Sequence, residues 1–273
     1  MIIATTGTLT TGSTFLVYHG PYGAIIPKMA EDGYRAVEMH IFDSAEIDRK
    51  ELWDLLKTHG IVLTSIGTGS VYDRLHYSLG AGDPAVRKAA IRHLEQHMIT
   101  AEPDHALVIL GLVAGRVSDC GGNLEEFQKY LTDSLYRLDE LAVHHDVKLG
   151  FELMNRFESD YLTRIEEGVA FLKANTFQRI GLHLDTVHMN IEERNIGNAI
   201  RSAKGYVSHV HVADNDRWYP GHGHYDFRET LQALNDIGYE GALALETNCL
   251  PDERESAGKS LRYLSEMLEE LSE

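Results

Sequence analysis

Residues 182–193 read LHLDTVHMNIEE, a short apolar run that ends at Asp185 and is followed by His188. An apolar run that ends in a carboxylate is typical of a buried parallel strand whose carboxyl end opens into a site. The same pattern recurs in KLGFE, YVSHVH and GALALE, which end at Glu152, His211 and Glu246. The four end positions are 33, 26 and 35 residues apart, and each interval is about the length of one strand–helix unit. The pattern predicts successive parallel strands that each present one oxygen or nitrogen ligand at the same edge.

The composition of the chain fits one large α/β domain. It has 273 residues, of which 43% are hydrophobic and 25% charged, and a single barrel takes about 250 residues. The formal net charge of −17 disfavours nucleic acid and anionic membranes as partners. The N-terminus has no basic segment or long apolar segment, and no run approaches the roughly 20 apolar residues that span a bilayer. We therefore predict a soluble, cytoplasmic protein.

Strand and helix patterns alternate along the whole chain. Apolar runs that predict four more strands precede Glu152, at 2–5, 36–39, 61–67 and 106–112. Eight strands that alternate with eight helices imply a parallel sheet, and right-handed crossovers favour its closure into a (β/α)8 TIM barrel. An open doubly wound sheet is the alternative, but no G-x-G-x-x-G motif follows the first strand. We predict one α/β TIM-barrel domain over residues 1–273, with its active site at the C-terminal ends of the strands.

Helices are predicted between the strands from apolar stripes and from the residues that cap helix N-termini. Asp83, Asn123 and Asp226 each precede such a stripe and are predicted N-caps. Residues 163–166 have the spacing of a capping box. The segment 192–203 is predicted to form one helix.

The strand-end residues are a candidate metal site, because strand C-termini and the loops after them form the active site of this fold. Glu152, Asp185, His211 and Glu246 are expected to converge there. Three carboxylates in one place repel one another, and a divalent cation removes that conflict. Three oxygens and one nitrogen suit Mn²⁺, Mg²⁺ or Co²⁺. The alternative is that each acid caps a loop or pairs with an arginine.

Several other histidines are predicted to have structural roles. Because side chains alternate along a strand, His183 and His209 lie one layer below Asp185 and His211, where a hydrogen-bonded core residue is expected. His93 and His97 have the i, i+4 spacing of metal ligands, but we expect them on an exposed outer helix face.

Four motifs in this chain resemble those of the xylose isomerase-like TIM-barrel superfamily. They are E-x-x-N-R-x-E from Glu152, D-T-x-H-M-N-I-E-E from Asp185, H-V-A-D-x-x-R from His211 and E-T at Glu246. Within the superfamily the chain looks most similar to ketose 3-epimerases of the D-tagatose and D-psicose type. The resemblance implies that these four residues bind a divalent metal, with Mn²⁺ expected and Mg²⁺ or Co²⁺ as alternatives.

The same resemblance implies a carbohydrate-metabolism enzyme of the isomerase class that acts on a small keto sugar. Glu152 and Glu246 would exchange a proton with the carbon next to the ketone, through an enediolate, and so invert that carbon. Glu158, His188 and Arg217 match positions that bind the sugar's oxygens. An aldose–ketose or hydroxypyruvate-type isomerase is the nearest alternative, and a non-catalytic sugar-binding protein is an alternative from another class. Barrels of this family are often dimers or tetramers, which implies a homo-oligomer.

The loop after the seventh strand is more similar to another branch of the family. Residues 213–227 have the form A-D-x-x-R-W-x-P-G-x-G-H-x-D-F, which resembles the 5-keto-L-gluconate epimerase branch. That similarity implies a keto sugar acid, such as 5-keto-L-gluconate or D-tagaturonate, as an alternative to a free ketose. Arg116 is then the candidate to bind the substrate carboxylate, with a solvated loop arginine as the other interpretation.

Overall fold

Eight parallel strands close on themselves in the computed structural model, which describes residues 1–9 and 15–271. The strands are β1 Ile2–Thr8, β2 Ala36–His40, β3 Val62–Gly67, β4 Leu107–Leu110, β5 Lys148–Glu152, β6 Ile180–Asp185, β7 Val207–Val212 and β8 Ala242–Leu245. Neighbours in the chain are neighbours in the sheet, and β1 pairs with β8 to complete the barrel. A two-residue strand, Tyr18–His19, adds to the carboxyl end of β1. The predicted (β/α)8 barrel is confirmed.

Helices surround the barrel, and three of the predicted N-caps are confirmed. The α-helices in the described ranges are α1 Tyr22–Glu31, α2 Arg49–His59, α3 Val71–Leu75, α4 Pro84–Ala101, α5 Leu124–His144, α6 Ile165–Ala174, α7 Thr186–Glu192, α8 Ile196–Ser202, α9 Phe227–Asp236 and α10 Glu253–Glu270. The side chains of Asp83, Asn123 and Asp226 accept backbone N–H groups in the first turns of α4, α5 and α9. Such caps satisfy amide groups that have no partner inside the helix.

The helix predicted over 192–203 is shorter in the structure, where α8 spans Ile196–Ser202, and the separate helix α7 at Thr186–Glu192 was not predicted. The side chain of Asp185 accepts two backbone N–H groups, so α7 begins directly after β6. Asn195 then accepts the N–H of Asn198 and starts α8. The N-cap Asn195 therefore sets the start of α8 four residues after the predicted start.

The capping pair predicted at 163–166 is displaced by one residue. The helix α6 begins at Ile165, and Glu167 accepts the backbone N–H groups of Thr163 and Arg164. The acidic residue of the pair is therefore Glu167, one position after the predicted Glu166.

The interior of the barrel changes from apolar to polar along its axis. A cluster of small buried side chains consists of Ala4, Ala36, Ala242 and Ala244. Nearer the carboxyl ends, buried polar side chains follow, namely Thr6, Glu38, Ser65, His183, His209 and His211. This polar layer lies directly beneath the strand ends that carry the predicted site.

The exposed position predicted for His93 and His97 is wrong. Their relative exposures are 8% and 0%, because the loop after β2 packs against α4. His93 Nε2 donates to the backbone oxygen of Phe42, and His97 Nδ1 lies 2.7 Å from the hydroxyl of Ser44. Both histidines thus join α4 to the loop after β2.

Burial of His97 makes it a source of acid sensitivity. Burial, and then the charges of His93 and Arg49, lower the pKa of His97 from 6.5 to about 3. Because this pKa lies below the unfolded value, the stability is fully present above pH 6.5 and is lost as the pH falls toward 3. From pH 7 to pH 5 the natural protein should lose about 2 kcal/mol more than the His97→Gln variant. Urea unfolding of both proteins at the two pH values measures this, and equal losses would contradict it.

None of the helices in the described part of the chain is long and apolar enough to cross a bilayer.

Candidate active site

A cavity of about 670 Å³ opens at the carboxyl ends of the barrel strands. Most of the predicted site residues line it, namely Glu152, Glu158, His188, His211, Arg217 and Glu246. Asp185 is fully buried beside them, at hydrogen-bond distance from Arg217. The structure therefore brings seven of the eight predicted site residues together.

Three of the four strand-end residues lie close enough to share one cation, and the fourth, Glu246, lies beside His211. Ligand atoms of Glu152, Asp185 and His211 lie within 4.8 Å of one another. His211 Nδ1 is 3.5 Å from Glu246 Oε2 and 3.9 Å from Asp185 Oδ2. This nitrogen is buried, and no residue of the described ranges forms a hydrogen bond with it. A buried nitrogen without a partner beside three carboxylates fits a divalent ion that accepts mixed oxygen and nitrogen ligands.

The two carboxylate oxygens of Asp185 have different roles: one caps a helix, and the other faces the site. Its Oδ1 accepts the backbone N–H groups of Val187 and His188 at 2.6 and 3.2 Å, which caps α7. Its Oδ2 points toward the site and lies 2.7 Å from Arg217 Nη1. Because the cap holds the carboxylate in place, Oδ2 needs no further ordering to act as a ligand.

Arg217 neutralises part of the carboxylate charge. Its Nη1 donates to Asp185 Oδ2 at 2.7 Å and to Glu246 Oε2 at 2.8 Å. Burial alone would raise the pKa of Glu246, but the charges of Arg217 and His211 outweigh burial and lower it. The alternative that the strand-end acids pair with an arginine therefore holds for Asp185 and Glu246. This pairing does not exclude a metal site at the same place.

The loop after β7 places Arg217 over the site. Arg217 has a φ of 63°, in the left-handed region, where residues other than glycine are uncommon. Buried Asp214 holds the loop, because its carboxylate accepts the backbone N–H groups of Asn215, Gly221 and Tyr225. Asp214, the acidic residue of the A-D-x-x-R motif, thus anchors the loop.

His188, Glu158 and Asn155 form the next group along the cavity wall. His188 Nε2 lies 3.6 Å from Glu152 Oε1, and its Nδ1 lies 2.7 Å from the amide group of Asn155. Asn155 also donates to Glu158 Oε1 at 2.9 Å. Asn155 was missed as a site residue, although it stands in the E-x-x-N-R-x-E motif and its amide joins the two predicted sugar contacts.

Glu38 and His40 on β2 were also missed. His40 lines the cavity, and Glu38 is fully buried beneath it, 2.7 Å from His40 Nε2. The sequence did contain an indication of their role, because Glu38 is a charged residue in the middle of the apolar run AVEMH. Buried carboxylates are rare without a partner.

Arg116 does not belong to the cavity wall formed by the described residues. Its guanidinium lies 5.8 Å from the centre of the Tyr72 ring. Arg74 is likewise outside that wall, stacked on the ring of Phe42 at 3.6 Å. The carboxylate contact predicted for Arg116 has no support in this geometry.

The sequence matches the xylose isomerase-like TIM barrel family over residues 26–267. The chain belongs to this family. An L-ribulose 3-epimerase of Mesorhizobium japonicum is 31% identical over 219 residues, which cover 80% of this chain and 72% of the relative. A D-psicose 3-epimerase of Agrobacterium fabrum is 30% identical over 231 residues, which cover 82% of this chain and 78% of the relative.

Solved structures agree with the fold of this family member. A structure of an L-ribulose 3-epimerase has a TM-score of 0.84 and 24% identity, and it covers 99% of this chain and 96% of the other. At this identity the likeness supports the fold alone. The sequence relatives are epimerases, and they support a carbohydrate epimerase, an enzyme of the isomerase class.

Gly111 keeps space for the Glu152 carboxylate in this epimerase. A Cβ added at Gly111 would lie 2.5 Å from Glu152 Oε2, and the flexible end of the glutamate would have to move. The family resemblance makes Glu152 a reacting group, and misplacement of such a group by about 1 Å is costly, so Gly111→Ala is expected to lower kcat/KM by about 10²-fold with little change in Tm. Gly258→Ala is the control, since its added Cβ would meet no described atom within 4 Å apart from the neighbouring residues and backbone of its own helix. A fully active Gly111→Ala enzyme would show that Glu152 needs no fixed position.

Proposed function

We propose that this chain is a divalent-metal-dependent epimerase of a keto sugar that inverts the carbon next to the ketone. The observation that carries the proposal is the placement of Glu152 and Glu246 in one cavity, with Asp185 and His211 on the two strands between them. Inversion needs one base on each face of the same carbon. The ends of β5 and β8 are the outer members of this four-strand set, so their carboxylates flank the space above it.

The proposed metal ligands are Glu152, Asp185, His211 and Glu246. Their three carboxylates and one imidazole fit Mn²⁺, with Mg²⁺ and Co²⁺ as alternatives. A divalent ion held there would polarise the ketone and acidify the neighbouring C–H bond. The predicted cytoplasmic location and homo-oligomeric state stay predictions.

The remaining chemistry belongs to the protein's own side chains. One of the two glutamates removes the proton of the carbon beside the ketone, and the other returns a proton to its opposite face. The direction of the reaction decides which glutamate acts first. His188 and Arg217 lie beside these carboxylates, and they hold the oxygens on which negative charge develops. Glu158 accepts a sugar hydroxyl farther along the wall.

The charge of the cavity favours a neutral ketose over a keto sugar acid. Among the lining residues of the described ranges, Arg217 is the only lysine or arginine, and Asp185 and Glu246 already bind it. Asp73 and Glu158 add negative charge to the same wall. With the proposed divalent ion engaged at the ketone, a substrate carboxylate farther along this wall would have no cationic partner, which is costly in such a site. D-psicose, L-ribulose and D-tagatose are therefore the preferred candidates over 5-keto-L-gluconate and D-tagaturonate.

Proton NMR in D₂O tests the reaction and the substrate class together. Metal-stripped protein, with Mg²⁺ restored, is incubated with D-fructose, D-tagatose, L-ribulose, hydroxypyruvate and 5-keto-L-gluconate in turn. We expect metal-dependent deuterium uptake at the carbon beside the ketone, with appearance of the epimer, for the neutral ketoses. Uptake at C1 with formation of an aldose would instead assign an isomerase. Metal binding without exchange on any substrate would favour a sugar-binding protein and contradict the proposal.

A further inference from the structure

Glu38 is the centre of a buried polar cluster directly beneath the candidate metal site. Its side chain is 0% exposed inside the barrel. Its Oε1 lies 2.7 Å from His40 Nε2 and 2.8 Å from His211 Nε2. Its Oε2 lies 2.6 Å from the hydroxyl of Ser65 and 2.8 Å from His209 Nε2. Four contacts thus surround one buried carboxylate.

The chemistry of the carboxylate determines where the protons of these histidines lie. An ionised carboxylate only accepts hydrogen bonds, and a buried one is tolerated when its oxygens are satisfied. His211 must therefore carry a proton on Nε2 to donate to Glu38. That leaves Nδ1 as the ring nitrogen that faces Asp185 Oδ2 and Glu246 Oε2, and it is the atom without a hydrogen-bond partner in the described ranges.

The ring of His211 also has little freedom to turn. It lies against the ring of His183, with centroids 4.1 Å apart and planes nearly perpendicular, and 5.3 Å from the ring of His209. No residue that the structure describes forms a hydrogen bond with either nitrogen of His183, contrary to the hydrogen-bonded role expected for it, so His183 does not take the His211 proton from Glu38. Glu38 therefore favours the orientation of His211 in which Nε2 faces Glu38 and Nδ1 faces the site. The ring rotated by 180° about its bond to the rest of the side chain would lose this hydrogen bond.

We propose that Glu38 is a positioning residue, which fixes the tautomer and orientation of His211 so that Nδ1 faces the metal site. This inference rests on the proposed metal site. A carboxylate that orients a metal-binding histidine is a known way to raise metal affinity, and its loss typically weakens binding by 10–100-fold. Glu38 is absent from the cavity wall, so its effect on a bound metal is expected to pass through the histidines that it contacts, of which His211 is the proposed ligand.

Calorimetric titration of the full-length protein with Mn²⁺ tests the proposal. Glu38→Gln keeps the size of the side chain but removes the charge, and the Kd for Mn²⁺ should rise by about 10–100-fold. Ser65→Ala is the matched control, because it removes a contact to Glu38 Oε2 and leaves the bond between Glu38 and His211 intact. Its Kd should stay near that of the natural protein. Equal affinities in all three proteins, or equal losses in both variants, would overturn the proposal.

A spectroscopic measurement separates positioning from a general structural role. In Mg²⁺-loaded protein with ¹⁵N-labelled histidine, long-range ¹H–¹⁵N spectra should show His211 with its proton on Nε2. The Nε2 proton of His211 should lie far downfield in the natural protein, because it is bonded to a carboxylate. Glu38→Gln should move this resonance upfield, and Ser65→Ala should leave it in place. An unchanged Nε2 proton resonance in Glu38→Gln would overturn the proposal.

Two further comparisons keep the test decisive. If Glu38→Gln does not fold, Glu38→Asp retains the buried charge on a shorter arm, and it should also bind Mn²⁺ more weakly, whereas natural affinity would overturn the proposal. Failure of the proposed function gives a different result. Natural protein that binds Mn²⁺ through His211 but epimerises no sugar would leave the role of Glu38 supported and the proposed function wrong.

Discussion

Glu246→Gln should lower kcat by about 10²–10⁴-fold, the usual contribution of a positioned acid–base group. The amide retains an oxygen at the same place but cannot accept or deliver the proton. It also weakens the contact with Arg217 Nη1, which donates to Glu246 Oε2 at 2.8 Å. Substrate binding should be partly retained, because Glu158 and His188 are unchanged.

Deuterium exchange makes this prediction specific to a two-base mechanism. In D₂O the Glu246→Gln variant should still exchange the proton of one epimer, the one that Glu152 attacks, without producing the other epimer. Glu152→Gln should show the reverse preference. The control is Glu240→Gln, an exposed glutamate that precedes β8 at the opposite end of the barrel. Normal turnover by Glu246→Gln would contradict the mechanism.

Removal of the divalent metal should abolish epimerisation and lower the stability of the protein without unfolding it. Three carboxylates meet at the site, and Arg217 compensates only Asp185 and Glu246 among them through direct hydrogen bonds. That pairing is expected to keep the metal-free barrel folded. A metal at 100 times its Kd adds about 2.7 kcal/mol to the free energy of unfolding. For a chain of this size the Tm should rise by roughly 5–10 °C.

Thermal unfolding with and without a chelator measures this effect, followed by titration with Mn²⁺ and Mg²⁺. Asp185→Asn is the matched variant, because its Oδ1 can still accept the two N–H groups that cap α7 while the charged ligand is lost. Its Tm should respond weakly to metal. Full activity after exhaustive chelation, with an unchanged Tm, would show that the carboxylate cluster does not hold a metal.

The strand ends were predictable because their signal is local. Each apolar run is short, is bounded by a helical pattern and ends in a polar residue, and parallel strands place such ends at one edge. The runs that end at Glu152, Asp185 and His211, and the run just before Glu246, form strands as expected. N-caps such as Asn123 were predictable for the same reason, since the residue and the amides that it binds are neighbours in the chain.

Contacts between distant residues were not predictable from local patterns. His97 was expected to be exposed, but the loop that carries Ser44 covers it, 53 residues away in the chain. Glu38 and His211 meet across 173 residues. The apolar periodicity of a segment shows which of its faces is apolar, but not which other segment packs against that face. It therefore could not predict either of these two contacts.

The sequence by itself determined the barrel, the order of its strands and the four strand-end residues that converge at its carboxyl edge. These follow from apolar periodicity, caps and the single edge that parallel strands share. Only the tertiary structure decided that Arg217 binds Asp185 and Glu246, that Arg116 lies outside the cavity wall, and that Glu38 holds His211 from below. Those relations depend on which side chains approach one another after the barrel closes, and closure joins residues that the chain keeps far apart.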